Sequence, residues 1–422
     1  MRDHELRLVL NDELHGRPGL AVVAPSRMTH LAFTIADGDP DPLTHVALLC
    51  DALGVKPPAE GAAHHGVEIE GGLIIYERHG EFYRLSVVAH GNGGKSEAIA
   101  ILPLGWIDGL PGHRLVAIHT HILAKSARTP DASYLGQHFG HDDLAGSKVT
   151  AGLATIWTDF KIGGDGFTRM LVQDHGLSPL RLGRVTRRVH EIETYRMMAL
   201  LAFPLARALQ KELGPLERSL SETIAGMLAA KGSEEDAALL DRLSGIARDV
   251  EEMSNRSSYR FAAARAYSAL VTKRVAELGE ERVMNFQRLG VFLDRRFSPA
   301  MSTCVAVSDR IASLAERSER AGNLLRTRVD IALEGQNQQL LKSMEKRARQ
   351  QVMLQETVEG LSVVAISYYL IGIFDKFLDG MRAYVPDFDV KLASLLSIPA
   401  ILALVWYFVR RVRRRLHQAA TK

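Results

Sequence analysis

Fifteen of the sixteen histidines fall within residues 1–190, and histidine is the side chain best suited to hold a transition metal or pass a proton near neutral pH. His119 and His121 stand two apart in "HRLVAIHTHIL", a β-rich stretch, so both belong to one face of a strand. The string "HFGHDD" adds His138, His141, Asp142 and Asp143. Neither spacing is a recognised zinc motif and no cysteine pair accompanies them, so sheet and surface histidines are the expectation. A metal site drawn from His119, His121, His138 and His141 is the alternative. A second candidate is "AHGNGGKS" at 89–96, which matches the loose phosphate-loop pattern with Ala89 in the first glycine slot. Such a loop must open a helix whose N-terminus holds the phosphates, yet only "EAIAIL" precedes Pro103. A glycine-rich turn with Lys95 exposed is expected instead. His15 and Arg17 in "NDELHGRP" are read as anchoring the N-terminal segment. With no Ser-His-acid or Cys-His set, enzymatic activity is not expected, and no cofactor is evident beyond a divalent cation.

Further along, Ser362, Ile366 and Tyr369 share one helical face of an uncharged run, which suits a pore lining or a packing face between membrane helices. Asp375, Asp379, Asp387 and Asp389 follow it, suited either to acidic rings at the mouth of an oligomer or to a solvated loop. Upstream, Gln336 and Asn337 with Leu340 and Met344 are candidates for a seam between copies, because polar residues at a helix seam set register and oligomer number.

These residues need elements to position them. The chain has 422 residues, 46% hydrophobic and 24% charged, with formal net charge +3: long enough for two or three cores and without a disordered bias. Cys50 and Cys304 suggest no disulfide framework, which fits a reducing compartment. The N-terminal stretch lacks the apolar core of a signal peptide, so the large domain is expected in the cytoplasm. Leu392 to Val409 carries no charge, and its 18 residues span about 27 Å, close to a hydrocarbon core. Gly360 to Phe374 is a shorter uncharged run. Joined by "DKFLDGMRAYVPDFDVK", the two make a hairpin, with spans at about 358–376 and 392–409. Lys342, Lys346, Arg347 and Arg349 before it and Arg410, Arg411, Arg413, Arg414 and Arg415 after it place both termini on the cytoplasmic side. Because an apolar helix abuts the terminal arginines, a lipid bilayer is the expected partner and nucleic acid is not.

The fold class that follows is an α/β cytoplasmic domain at 1–178, an all-α domain at 179–299, a long stalk helix at 300–358 and a transmembrane hairpin with a basic tail at 359–422. "MTHLAFTI", "GVEIEGGLIIYERHG", "EFYRLSVVAH", "HRLVAIHTHIL" and "KVTAGLATIWTDF" read as strands of one mixed sheet, and "DPLTHVALLCDALG" as a helix. Pro204 is expected to kink the next helical stretch and Gly214-Pro215 to stop it. No proline occurs between Pro299 and Pro386, and Val307, Ile311, Leu314, Ser318, Ala321 and Leu325 recur four and three apart. A helix of that length needs neighbours to cover its apolar stripe.

The strings "NDELHGRP", "VHEIETYRMMALL", "RRFSPAMSTC", "LLRTRVDIALEGQNQQLL" and "QETVEGLSVVAISYY" resemble the signature segments of a family of uncharacterised, membrane-anchored bacterial proteins. The resemblance covers nearly the whole chain and implies a proteobacterial inner-membrane protein. The order of elements also resembles that of the CorA-type divalent-cation channels, homopentamers whose first span lines the pore. Their Gly-Met-Asn tripeptide has Gly380-Met381-Arg382 as its nearest counterpart, with an arginine where a hydrated cation is expected to dock.

Overall fold

The computed structural model describes residues 3–8, 11, 19–91, 96–141, 143–230, 232–283, 285–381 and 390–420, without the side chains of 233, 390 and 412–420. His15, Arg17, Lys95, Asp142, Arg382, Asp387 and Asp389 lie outside the described residues. The chain divides into a unit of residues 1–231 and 238–323 and a unit of 232–237 and 324–422.

Among the described residues of the first unit, nine strands form one mixed sheet: β1 (Ser26–Thr34), β2 (His64–Ile69), β3 (Gly72–Arg78), β4 (Phe82–His90), β5 (His113–Leu123), β6 (Ala145–Val149), β7 (Ala154–Ile162), β8 (Thr168–Asp174) and β9 (Glu281–Arg282), in the order β2-β3-β4-β1-β5-β8-β7-β6-β9. Among the described residues, β5–β8, which sets His119 opposite Arg169, is the one parallel pairing between these strands. The predicted run at 148–160 resolves into the facing strands β6 and β7 around a turn where Thr150 and Ala151 take positive φ. The short β9, from the expected all-α stretch, pairs with β6.

Alternation along the strands sorts side chains to the two faces. On β5, Val116, Ile118 and Ile122 join one core with α3 (Pro179–Leu200) and α4 (Ala202–Ala229). Each such fully buried side chain contributes roughly 1.5–3 kcal/mol. The opposite face holds a separate cluster under α1 (Pro42–Ala52) and a small one of Leu135, Leu144, Trp157, Leu171 and Val283 beside α2 (Ala132–Phe139). Asp41 caps α1 by accepting from Leu43 N at 3.2 Å, and Asp131 caps α2 by accepting from Tyr134 N at 2.9 Å.

The helical region differs from its sequence reading in two places. The boundary before Pro204 falls at Leu201, which leaves the proline in the first turn of α4, where no intrahelical N–H is required. Helix α4 then runs through Gly214 and Pro215, because Leu209, Leu213 and Leu220 bury one face on both sides of the break. Helices α5 (Ser233–Leu278) and α6 (Leu289–Arg296) follow, and α7 (Ser298–Met381) is continuous for 84 residues. The same core extends from Leu20 to Ala321, so the α/β and helical stretches form one unit and share it with the first part of α7. The last helix, α8, is Val390–Ala420.

Candidate functional site

Helix α3 carries the string "VHEIETYRMM" and is buried all round from Val189 to Tyr195. Such a helix would ordinarily be apolar. Here His190, Glu191 and Thr194 instead meet polar partners on the sheet. The His30 ring bridges Ser86 Oγ at 2.8 Å and Thr194 Oγ1 at 3.1 Å, stacks on His190 at 4.8 Å between centroids, and His190 Nε2 lies 2.7 Å from Thr120 Oγ1. Beside this pair, Arg84 on β4 contacts Glu77 on β3 through Nε and donates to Glu191 at 3.3 Å. Arg187 donates to Glu77 at 2.5 Å and to Glu191 at 3.0 Å, and Arg274 on α5 reaches Glu191 at 2.6 Å. Two carboxylates and three guanidinium groups therefore tie β3, β4, α3 and α5 together. Burial alone would raise the carboxyl groups of Glu77 and Glu191, but the adjacent arginines outweigh it and hold both below their ordinary value.

Burial, reinforced by Arg84, pushes His190 down to about 3, and burial with the neighbouring His190 holds His30 well below its ordinary value. Linkage fixes the sign. The unfolded chain takes up these protons first, near 6.5, so the stability is present above that pH and declines as the pH falls below it. Denaturant titrations at pH 7 and 4.5 should differ by roughly 2–3 kcal/mol from His190 alone. A His190→Gln variant should lose that slope, and a wild-type slope unchanged by the substitution would refute the assignment.

On the other face, three of the four predicted histidines come together. His119 is buried, with Nδ1 2.9 Å from Thr29 Oγ1 and its ring stacked on Phe167 at 3.9 Å. Glu97 Oε2 lies 3.0 Å from His121 Nε2 and 3.6 Å from His119 Nδ1. His138 packs edge-on to His121 at 5.1 Å, and its buried Nε2 has no hydrogen-bond partner among the described residues. Burial first, then repulsion from His121 and Arg169, pushes His138 down to about 4. His141 departs from the group and lies 2.8 Å from Asp159 Oδ2 instead. Among the described residues, no group of three or more His, Cys, Asp or Glu is set to hold a metal ion. Glu97, His119, His121 and His138 thus form a carboxylate–imidazole cluster at the segment that begins at Ser96. That segment forms a four-residue 3-10 helix, Ala98–Ile101, and not the longer helix that a phosphate loop opens.

In the second unit, α7 and α8 each contain a stretch long and apolar enough to cross a membrane, and both stretches are 6% buried. Ser367 and Leu378 on α7 and Val405 on α8 are the buried positions there, and the Asp375 carboxylate accepts from the Ser394 hydroxyl. At 100° per residue, Asp375 and Leu378 lie within about 80° of Ser367, which defines the face of α7 turned to α8. Ser362, Ile366 and Tyr369 lie about 100–160° from Ser367 and are exposed. Asp375 is half-buried at the hairpin interface, where the Ser394 hydroxyl on α8 donates to its carboxylate, and Asp379 is exposed. Gln336, Asn337, Leu340 and Met344 are all exposed. Arg410 stacks on Trp406 at 4.7 Å. Arg411 is exposed, and α8 continues through positions 413–415.

The paired helices were legible in the sequence. The buried network was not, because on a helix buried all round the polar positions follow no period that sets them apart from surface charges. Its one signal was the run of ionisable residues in "VHEIETYR" between apolar neighbours. No curated protein matches the chain. The family model described as protein of unknown function (DUF3422) matches residues 2–416, and the chain belongs to that family.

Proposed function

We propose that this protein is an oligomeric inner-membrane protein of CorA-like build that conducts ions, divalent cations being the class to test first. In this reading α7 and α8 cross the bilayer, copies assemble as a ring, a pentamer if the likeness extends that far, and the first span lines the path. The observation that carries it is the division of faces on α7. Ser367 and Leu378 turn to the chain's own α8, while Ser362, Ile366 and Tyr369 turn away from it and are left for other copies. An inner helix backed by its own outer helix presents its free face to the axis of a ring.

The second reading is an anchored cytoplasmic binding or scaffold protein that conducts nothing. Gly380-Met381-Arg382 favours it, since a ring of arginines would repel a cation at the mouth. Flux decides between them. Purified protein in liposomes should pass a divalent cation to an enclosed dye, and Ile366→Trp should cut the rate tenfold or more, about 1.4 kcal/mol at the barrier. Liposomes no leakier than empty ones would leave the scaffold reading.

Topology is checked separately. A reporter fused after Lys422 should be cytoplasmic and one inserted at Tyr384 periplasmic, because positive charge flanks both ends of the hairpin. Both reporters on one side would remove the hairpin.

A further inference from the structure

The apolar stripe of α7 changes period where it loses its cover. Val307, Ile311, Leu314, Ser318 and Ala321, four and three apart, are buried. From Leu333 to Val358 every residue is exposed, Leu340, Leu341, Met344 and Val352 among them at 56–66%. This stretch precedes the expected span, so lipid does not cover it.

Its pattern repeats every eleven residues. Leu333, Met344, Gln355, Ile366 and Phe377 stand on one register, and Val329, Leu340, Gln351, Ser362 and Ile373 on a second. Glu334, Glu345 and Glu356 repeat in step beside the first register. Together with Asn337 and Leu341, the two registers fill the spacing of three, one, three and four that an eleven-residue coiled-coil core requires. An eleven-residue period of about 3.67 residues per turn keeps one stripe facing a partner along a nearly straight or slightly right-handed bundle. The seam residues Leu340 and Met344 thereby fall in register with Ser362 and Ile366, each 22 residues later.

We infer that residues 333–377 form a parallel, in-register helical interface with other copies of this chain, continuous from the segment before the span into the span itself. It rests on the oligomeric part of the proposed function and not on conduction. A second copy is the occupant because the stripe enters the bilayer: its partner must be a helix that crosses the membrane and extends about 40 Å beyond it on the same side. Another α7 has that length and that repeat, and the shared topology forces it to run parallel. The flanks are complementary. The glutamates lie on one side of the stripe, where Glu345 pairs with Arg349 of its own helix at 2.5 Å, and Arg347, with Gln336 and Gln350, lies on the other, so neighbouring copies in a ring bring unlike sides together.

Single cysteines scanned from Leu333 to Phe377 in a chain with Cys50 and Cys304 replaced by alanine, treated in membranes with a short thiol cross-linker, test this. Cross-linked product should peak at 333, 340, 344 and 366 and be about fivefold lower at Lys342 and Met353, which lie on the far side of the helix. Nitroxide labels at the same positions give the same test without a covalent bond, with spin–spin broadening expected at 344 and not at 353. A flat profile, a seven-residue period, or no cross-link and no broadening at any position overturns the interface. Divalent-cation flux by a protein with a flat profile would show that the seam assignment is wrong while conduction stands.

Discussion

Arg84→Ala is expected to lower the unfolding free energy by about 3–5 kcal/mol, among the largest effects available to a single substitution here. The side chains of Arg84, Glu77 and Glu191 are 3%, 6% and 5% exposed. Removing the guanidinium takes one cation from between two carboxylates that are almost wholly shielded from water. Arg187 and Arg274 remain, but each approaches from the helical side and neither replaces the contact made from β4. Arg84→Lys should fall between the two, since an ammonium keeps the charge and loses the fork that reaches both carboxylates. The pH dependence follows with a definite sign. In the wild type both carboxyl groups sit below their ordinary value, so their contribution is present above the unfolded value of 4.5 and is lost as the pH falls through the folded values. In Arg84→Ala the two carboxylates take up protons more readily, and the gap to wild type should narrow in acid. Chemical denaturation followed by far-ultraviolet circular dichroism at pH 7 and pH 4 measures both effects. A loss under 1 kcal/mol at pH 7, or a gap that widens in acid, would show that the network is not what ties the sheet to α3.

Replacing Leu340 and Met344 together by aspartate should disperse the assembly. Both side chains are more than 60% exposed in a single chain, so the substitution has little to disturb within one copy. In a tight ring it sets two layers of carboxylates against each other, where each unpaired charge costs several kcal/mol. Repetition around the ring multiplies that cost. Light scattering in detergent should report the mass of a single chain for the variant and a multiple of it for the wild type, while the far-ultraviolet signal and the melting of the first unit stay unchanged. A wild-type protein that runs as a single chain across a wide range of detergent and concentration would end both the seam and the ring built on it. An unfolded variant would instead show that the two positions are packed within one copy.

Much of the fold was legible before any coordinates, and the reasons are local. Strand β5 covers His113 to Leu123 as read, because its alternation of Val116, Ile118 and Ile122 with Ala117, His119 and His121 is the period-two signature of a sheet covered on both faces. Helix α1 was visible from its helical spacing, acidic start and terminal glycine. The two apolar runs and the arginines that follow depend on composition alone, and composition needs no contacts to be read. Even the face shared by Ser362, Ile366 and Tyr369 is a matter of spacing.

Tertiary structure decided whatever depends on which surfaces meet. Nothing local to Pro215 says that leucines before and after it will hold a helix together, and a two-residue strand at Glu281 exists only because the edge of β6 is there to pair with it. The histidines divided in the same way: His138 went to His121, and His141, three residues on, went to Asp159. Asp375 found Ser394 only because α8 folds back on α7. The ionic centre is the clearest case. Glu77, Arg84, Arg187, Glu191 and Arg274 come from four separate elements, and in the sequence each reads as an ordinary surface charge. Burial turns them into a single unit, because a charge removed from water must find its partner inside the protein, and only the assembled core determines which partners lie within reach.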